Sequence, residues 1–430
     1  MQAADPLLRS RRFAPLFWTQ ALGGFNDNLF KQAMALLVAY RLGTGSGLDP
    51  ASLTALAGAT FVAPFIVLSA YAGALADRTD KALLARRLKL AEIAIAAMAA
   101  AALAAAHLGA LFAVLFLLGC QAALFGPVKY SLLPAHLRTD ELVDGNALVE
   151  GSTFVAILFG SILGGWLIGA PGGETIVAAG MLAVAVLGWL ASRAIPPAPP
   201  LAGPAASRRP GTLAILREAR AVRPVWLSIL GISWFWVLGA TLLSFVPPLA
   251  RDLLGGDEAV ASCLLGLFSI GIAIGSLACA RSLKGEITPR PVPFAALAIS
   301  GLLVLFAIAV AILPLPEGTG LPLLRVLASP GTLVVGASLL AIAIAAGFYA
   351  VPLFAIMQHA APEGAKARTI GANNVLNSVM MVAAAIVVAG LSSGLGLSLS
   401  SLALVLSALN LVAALLMLRL VTGGFAKAVT

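Results

Sequence analysis

The sequence predicts an all-α membrane protein with twelve transmembrane helices, arranged as two related six-helix bundles. Three observations lead to this prediction: the composition, the length of the apolar segments, and their recurrence on both sides of a central linker. Hydrophobic residues make up 60% and charged residues 10% of the 430 positions, and the mean hydropathy is +1.02. Soluble domains are about half apolar and about a quarter charged, so this composition favours a membrane protein.

The apolar segments are long enough to cross a bilayer, which takes roughly 20 residues per helix. Six precede and six follow a proline-rich segment that begins at Ile195 and is expected to be stiff and extended. After Gly211 the letters LAILREAR have helical spacing, which predicts an amphipathic helix in the headgroup layer. We therefore expect an N-terminal bundle over 1–194, a cytoplasmic linker over 195–222 and a C-terminal bundle over 223–430. The predicted spans are 13–41, 51–76, 82–107, 110–133, 144–169, 174–194, 223–250, 258–280, 290–313, 332–358, 366–393 and 397–422.

The basic residues predict the orientation of the chain. If the N-terminus is cytoplasmic, that side and its helix ends carry 22 of the 27 Lys and Arg, Lys89 among them, and the outer side carries Arg41, Arg251 and Arg325. Loops rich in Lys and Arg stay in the cytoplasm, so both termini are expected there, in a bacterial inner membrane. The net charge of +9 then reflects topology and does not indicate nucleic-acid binding.

The two halves contain similar short segments at corresponding positions. Gly73-Ala-Leu-Ala corresponds to Gly275-Ser-Leu-Ala, and Asn146 at the start of the fifth span corresponds to Asn373 at the start of the eleventh. Trp18 in the first span matches a tryptophan in the seventh. Parallel repeats of this kind are typical of transporters, whose substrate site lies near the bilayer midplane at the interface between the repeats.

The first span holds the densest cluster of polar residues. Gln20, Asp27 and Lys31 lie on one stripe of the helix. A charge at the bilayer centre costs at least ~2.5 kcal/mol, so such residues usually face a cavity and serve function. Alternatively, Asp27 and Lys31 neutralise one another at the i, i+4 spacing. The other polar residues of this span are Asn26, Asn28 and Gln32.

Further candidates for substrate binding lie in three other spans. Lys129 follows a Gly-Pro pair in the fourth span, and the alternative is that it extends to the headgroups. Asn146 and Glu150 share one face of the fifth span, and Asn373 and Asn377 share one face of the eleventh. The alternative for Glu150 is a structural hydrogen bond between helices.

Several residues are expected to have no functional role. Glu92 is isolated in the third span, so we expect a structural role and a mild effect of Glu92→Gln. His107, His136 and His359 lie at span ends and carry no metal or catalytic signal, and the cysteines lie inside spans, where no disulfide is expected.

The seventh span carries aromatic residues where the first carries charge. When the two tryptophans are aligned, Asn26 and Asp27 correspond to Trp234 and Phe235. A sugar or a drug could use such a site, but an amphiphile would use it most directly, with its head on one half and its acyl chain on the other. Trp234 and Phe235 are therefore candidate contacts for an acyl chain.

The loop after the second span, Gly73-Ala-Leu-Ala-Asp77-Arg78-Thr-Asp80-Lys81, resembles the signature loop of the major facilitator superfamily. Gly73 allows close helix approach, and Arg78 and Lys81 complement the carbonyl end of the second helix. The resemblance implies that Asp77 meets the N-terminus of the eleventh helix and latches the cytoplasmic side. Asp80 replaces the usual second glycine, which is expected to loosen the turn.

Four longer stretches resemble the lysophospholipid transporter family, and in particular the transporter domain that some bacteria fuse to an acyltransferase and an acyl-carrier-protein ligase. The resemblance implies inward flipping of 2-acyl-glycerophosphoethanolamine for reacylation, with Asp27 and Lys129 at the acidic and basic positions of the family. The expected partners are the lysophospholipid, membrane lipids and a separate acyltransferase or acyl-ACP synthetase. The aromatic SWFW segment does not match the polar positions that the family has there. The stretches are GGFNDNLFKQA (23–33), FGPVKYSLLPAHL (125–137), DELVDGNALVEGSTFVAILFGSILGG (140–165) and SWFWVLGATLLS (233–244).

Two other functions are compatible with parts of the sequence. A proton-coupled or facilitative exporter of drugs or small metabolites could share the fold, but the fifth span lacks the proline of antiporter-type members near Gly160 and Gly164. An acyltransferase needs a His and an Asp five positions apart, and none of the three histidines has that partner. We therefore expect a transporter without catalytic residues, metal or cofactor.

Overall fold

A computed structural model of the chain describes residues 7–38, 42, 50–201, 211–314, 316 and 318–422. Within these residues all regular secondary structure is helical, apart from one isolated bridge between Gly256 and Leu321. Some residues that the sequence places on one side of the membrane lie outside the described part. They are Arg41, residues 202–210 of the linker and Lys427.

Each of the twelve predicted spans coincides with a long helix, which confirms the predicted fold class. The first half contains α1 (Ala14–Leu37), α2 (Pro50–Arg78), α3 (Lys81–Ala104), α4 (Leu108–His136), α5 (Leu142–Gly169) and α6 (Gly173–Arg193). The linker contains α7 (Thr212–Ala221), at the position that the helical spacing predicts. The second half contains α8 (Arg223–Pro248), α9 (Glu258–Leu283), α10 (Pro291–Ala311), the short α11 (Leu323–Leu327), α12 (Pro330–Ala360), α13 (Lys366–Ala389) and α14 (Leu399–Thr422).

Among the described residues, ten helical segments are long and apolar enough to cross a membrane. The long helices outside that set are α1 and α3. Both carry charged residues in their middle portions, Asp27 and Lys31 in one and Lys89 and Glu92 in the other. The polar content that lowers their hydropathy is therefore concentrated in two helices of the first half.

Helices begin where a side chain can cap the free N–H groups of the first turn. Asp257 Oδ1 accepts hydrogen bonds from Ala259 N at 3.0 Å and Val260 N at 3.2 Å at the start of α9. His107 Nδ1 accepts one from Ala110 N at 3.1 Å at the start of α4. The histidine that sequence analysis placed at a span end is thus a helix cap.

Asp80 tightens the turn before α3, contrary to the expectation that it loosens it. Its Oδ1 accepts a hydrogen bond from Leu83 N at 2.9 Å and caps the helix. Its Oδ2 accepts another from Ala198 N, 3.1 Å away, in the proline-rich segment after α6. Arg86 Nη2 also donates to Ile195 O at 2.7 Å. The carboxylate thus binds two backbone segments at once, which a glycine at this position could not do.

The chain divides into two compact units that do not coincide with its sequence halves. Unit 1 consists of Met1–Gly145, Val155–Val222 and Ala361–Ser378. Unit 2 consists of Asn146–Phe154, Arg223–Ala360 and Val379–Thr430. The first turns of α13 thus belong to unit 1, and a segment of α5 belongs to unit 2.

Unit 1 is built from close helix pairs, α2 with α4 and α3 with α6, and α1 packs on α6. Its apolar core includes Phe30, Met34, Leu103 and Leu118, all nearly inaccessible to solvent. In unit 2, α9 packs along α12, and α10 packs against both α12 and α14. Without a hydrophobic driving force inside lipid, such contacts depend on close packing and interhelical hydrogen bonds.

Candidate functional site

The carboxylate of Asp77 caps the N-terminus of α13 within unit 1. It accepts hydrogen bonds from Ala367 N at 2.9 Å and Arg368 N at 3.1 Å, and Asp77 is almost fully buried. The residue before α13 is Ala365, which has no capping side chain, so a carboxylate from α2 performs this role. Gly73 makes the approach possible, because a Cβ there would lie 2.6 Å from Arg368 Cα. The contact implied by the resemblance is therefore present.

The remaining residues of the signature loop lie around this contact. Lys81 is buried, and its backbone N–H donates to Ala198 O at 3.0 Å. Arg78, at the end of α2, lines a cavity of about 300 Å³ together with Tyr71 and Thr212 at the start of α7. The linker helix is also held to unit 1 through Glu218, whose carboxylate lies 3.0 Å from Arg368 Nε. The loop, α7 and α13 thus form one connected region.

Two consecutive residues of α1 carry buried acceptors to which no described residue donates a hydrogen bond. Asn26 Oδ1 and Asp27 Oδ1 are both buried, and neither accepts a hydrogen bond from any residue that the structure describes. A buried oxygen without a donor costs about 1–3 kcal/mol, so these two oxygens, on consecutive residues, are suited to a ligand that brings donors. Lys31 Nζ lies 4.4 Å from the centre of the Phe61 ring. Gln20 is buried, and Asn28 Nδ2 donates back to Gly24 O at 2.7 Å within the helix.

Glu92 is the centre of a buried polar network and is not isolated, which corrects the expectation from the sequence. Its Oε2 accepts hydrogen bonds from Lys89 Nζ at 2.5 Å and Gln121 Nε2 at 3.0 Å. Its Oε1 accepts one from Asn26 Nδ2 at 3.3 Å. Lys89 and Glu92 are both completely buried. The distribution of basic residues predicted Lys89 at a cytoplasmic helix end, whereas the structure buries it inside unit 1.

The charges that act on Asp27 come from three helices. They belong to Glu92 and Lys89 of α3, Lys31 of α1 and Lys129 of α4. Lys129 is half-buried, with its Nζ 4.6 Å from the centre of the Tyr130 ring. Unit 1 therefore brings together the charged candidates Asp27, Lys31 and Lys129, and adds a lysine and a carboxylate that sequence analysis did not select. The i, i+3 spacing of Lys89 and Glu92 was the signal that could have revealed this pair.

The candidates at the start of α5 lie in unit 2, where Asn146 is engaged with α12. Asn146 and Gln358 exchange two hydrogen bonds, at 2.8 Å and 2.9 Å, and both are buried. With its amide in this reciprocal pair, Asn146 serves interhelical packing in this structure. Glu150, one turn further along, is completely buried.

The aromatic candidates belong to a cluster inside unit 2. Phe235 is almost completely buried, with its ring centre 6.1 Å from that of Phe154 and 5.5 Å from that of Trp236. Trp234 points elsewhere, because its Nε1 donates to Asn410 Oδ1 of α14 at 2.8 Å. Phe235 is therefore grouped with other aromatic rings, and Trp234 is tied to the helix bundle.

The asparagines of α13 lie in unit 1, where α13 packs against α2 and α4. Asn373 and Asn377 are both buried. The neighbouring Asn374 lies against Gly126, since a Cβ at that glycine would lie 2.7 Å from its Nδ2. The repeat-related pairs, Asn146 with Glu150 and Asn373 with Asn377, thus belong to different units.

Comparison with protein families decides the class of the protein. The family model of the Major Facilitator Superfamily matches residues 16–385. The chain belongs to the Major Facilitator Superfamily. It is a membrane transporter and not an enzyme, as the sequence predicts.

Similar superfamily members include curated bacterial proteins. The chain is 30% identical over 328 residues to the lysophospholipid transporter LplT of Enterobacter sp. (strain 638), covering 74% of this chain and 72% of the relative. It is 28% identical over 384 residues to LplT of Serratia proteamaculans (strain 568), covering 86% and 85%. These similarities place the chain in the LplT family, as the four stretches of sequence indicated.

Solved structures of other superfamily members share the fold. The human organic anion transporter MFSD10 (TETRAN) superposes with a TM-score of 0.74 at 17% identity, covering 96% of this chain and all of that one. A bacterial homologue of the iron transporter ferroportin, in an outward-facing state, gives 0.66 at 16% identity, with coverage of 94% and 99%. At these identities the similarity concerns the fold alone.

Proposed function

We propose that this transporter flips lysophospholipids of the 2-acyl-glycerophosphoethanolamine type inward across the bacterial inner membrane for reacylation. The relatives named lysophospholipid transporter support the substrate class. The observation that carries the proposal is the pair of buried acceptors on α1, Asn26 Oδ1 and Asp27 Oδ1, next to the cationic side chains of unit 1.

The headgroup of such a lipid combines an ammonium with a phosphate. The ammonium has three N–H donors, and Asp27 Oδ1 and Asn26 Oδ1 are acceptors in need of donors. The phosphate needs a cation, and Lys31 and Lys129 both act electrostatically on Asp27. We propose that Asp27 binds the ammonium and that one of the two lysines binds the phosphate, while Gln20 and Asn28 of the same helix help to shape the site.

The acyl chain requires an apolar surface, and each methylene that it buries contributes about 0.8 kcal/mol. Unit 2 offers the aromatic cluster of Phe235, Phe154 and Trp236. We propose that Phe235 contacts the acyl chain. Because Trp234 is hydrogen-bonded to Asn410, we expect Trp234 to contribute less to binding of the acyl chain than Phe235 does.

Transport further requires that the protein opens and closes. We propose that Asp77 and α13 form a latch that stabilises the state closed towards the cytoplasm, with Gly73, Arg78 and Lys81 shaping the loop around it. The proposal places both termini in the cytoplasm, in agreement with the positive-inside rule. A separate acyltransferase or acyl-ACP synthetase would then consume the lipid that arrives in the inner leaflet.

The test is uptake of labelled lysophosphatidylethanolamine by proteoliposomes, compared with a fatty acid and a cationic drug. Replacing the charged acceptor in Asp27→Asn removes a charge-assisted bond of about 1.5–3 kcal/mol, so uptake should fall about 10- to 100-fold. Lys129→Ala should impair it strongly as well. Asp252→Asn, which changes an exposed carboxylate of unit 2, is the matched control and should keep normal uptake. Near-normal uptake by Asp27→Asn, or uptake of the cationic drug alone, would overturn the proposal.

A further inference from the structure

The ion pair of Lys89 and Glu92 has no role in the proposed function, yet it is buried inside unit 1. Both residues are completely buried within α3, the third predicted span. Removing two charges from water costs several kcal/mol per ion, and a pair of apolar side chains would fill the same space without that cost. A buried pair is therefore weak evidence for stability and calls for another explanation.

Glycines on two neighbouring helices make the space for the lysine. A Cβ at Gly23 of α1 would lie 2.9 Å from Lys89 Nζ, and a Cβ at Gly188 of α6 would lie 2.9 Å from Lys89 Cε. A larger residue at either position would collide with the lysine side chain. Three helices thus cooperate to hold one ammonium group beside α1.

The carboxylate of the pair is connected directly to the proposed headgroup site. Glu92 Oε1 accepts a hydrogen bond from Asn26 Nδ2, and Asn26 is the chain neighbour of Asp27. Both charges of the pair act electrostatically on Asp27. In a medium of low dielectric constant, such charges influence any ion bound at that carboxylate.

The cluster of charges consists of Asp27, Lys31, Lys89, Glu92 and Lys129, three cations and two carboxylates with a formal net charge of +1. Its partner in the proposed function is a phosphate-bearing headgroup, which is either neutral overall or negative. A change in the net charge of the cluster must favour one of these two classes over the other. The Lys89–Glu92 pair contributes no net charge, but neutralising either residue alone changes the net charge of the cluster by one unit.

We propose that the balance of charge within the Lys89–Glu92 pair is a specificity determinant: as long as the two charges cancel, the site gains no added preference for net-anionic over zwitterionic lysophospholipids. The inference rests on the proposed function of the site at Asp27. It assigns the pair an electrostatic role that is separate from the folding of unit 1. Glu92 orients α1 through Asn26, and Lys89 balances its charge.

The test compares two lysophospholipids of identical acyl chain, lysophosphatidylglycerol with a net charge of −1 and lysophosphatidylethanolamine with none. Each competes with labelled lysophosphatidylethanolamine for uptake, and the readout is the ratio of their inhibition constants. Lys89→Arg/Glu92→Gln adds one fixed positive charge, because a guanidinium keeps its proton in proteins. The ratio should shift on the order of tenfold in favour of the anionic lipid.

Three variants separate charge from structure. Lys89→Arg keeps the charge and tests the larger side chain, and Lys89→Gln/Glu92→Gln removes both charges of the pair. Gln121→Met removes one hydrogen bond to Glu92 without any change in charge. All three should keep the wild-type ratio, even where the uptake rate falls. Because replacing a buried ion pair by neutral residues is often tolerated, the doubly neutral variant is expected to fold.

The outcomes distinguish this inference from the proposed function. Wild-type protein that takes up neither lysophospholipid overturns the proposed function. Wild-type uptake that depends on Asp27, together with a ratio unchanged in Lys89→Arg/Glu92→Gln, overturns the inference and leaves the pair a structural element. A shift of the same size in the doubly neutral variant would also overturn it.

Discussion

The contact between Asp77 and α13 leads to a quantitative prediction for Asp77→Asn. Asparagine keeps one acceptor oxygen, but it presents an amide group to the second N–H and lacks the negative charge at a helix N-terminus. The wild-type carboxylate accepts two buried bonds, at 2.9 Å and 3.1 Å. Hydrogen bonds to a charged group contribute about 1.5–3 kcal/mol each. The interaction of the carboxylate with the helix dipole amounts to up to ~2 kcal/mol and is already included in the contribution of these bonds.

The variant should therefore lose about 2–4 kcal/mol of the free energy that holds the start of α13 against α2. This corresponds to a shift of about 30-fold to several hundred-fold in the equilibrium between closed and open latch. The protein should still fold, because the apolar cores of both units are untouched. Turnover should slow, since one half of the transport cycle becomes unfavourable.

Cysteine accessibility from the cytoplasmic side measures this shift. Ser69 is completely buried where α2 meets α13, and a Cβ at Gly371 would lie 2.5 Å from its carbonyl oxygen. Ser69→Cys should react slowly with a membrane-impermeant maleimide and much faster when Asp77→Asn is added. Ser192→Cys, completely buried near the end of α6, is the matched control and should stay unreactive in both backgrounds. The native cysteines to be replaced first by alanine are Cys120, Cys263 and Cys279.

Two results would refute the reasoning about the latch. The first is equal labelling of Ser69→Cys with and without Asp77→Asn, which would show that the contact does not hold α13 in place. The second is a parallel rise at Ser192→Cys, which would indicate general loosening of unit 1. Thermal unfolding in detergent should accompany the labelling, so that a loss of folding is recognised.

Three further predictions follow from the other contacts. Phe235→Ala should weaken competition by long-chain lysophospholipids more than by short-chain ones, measured with a graded series of acyl lengths; a flat profile would show that the ring only packs unit 2. Asn146→Leu and Gln358→Leu should each lower the free energy of unfolding by about 1–3 kcal/mol, because the remaining amide is buried without its partner. Thermal unfolding should show that the double variant loses less stability than the sum of the two single variants. Glu218→Gln should release α7 from Arg368 at a cost of at most about 1 kcal/mol, since the carboxylate is partly exposed. Faster proteolysis within the linker would reveal this release, and an unchanged rate of proteolysis would contradict it.

The sequence by itself determined the fold class, because the signal for a membrane span is local. About 20 consecutive apolar residues identify a span without reference to any other part of the chain. The density of polar residues in α1 also singled out Asp27 and Lys31, since a charge in an apolar helix stands out from its neighbours. For the same reason the signature loop after the second span could be recognised.

Only the tertiary structure decided which polar residues meet. Lys89 lies two turns into α3, and its sequence position is compatible with the headgroup layer. The rotation of α3 about its axis and the space left by Gly23 and Gly188 bring this lysine inside unit 1. Likewise, the reciprocal bond of Asn146 joins it to Gln358, 212 positions away. Such pairings depend on how distant helices pack, and a single sequence contains no local pattern that specifies them.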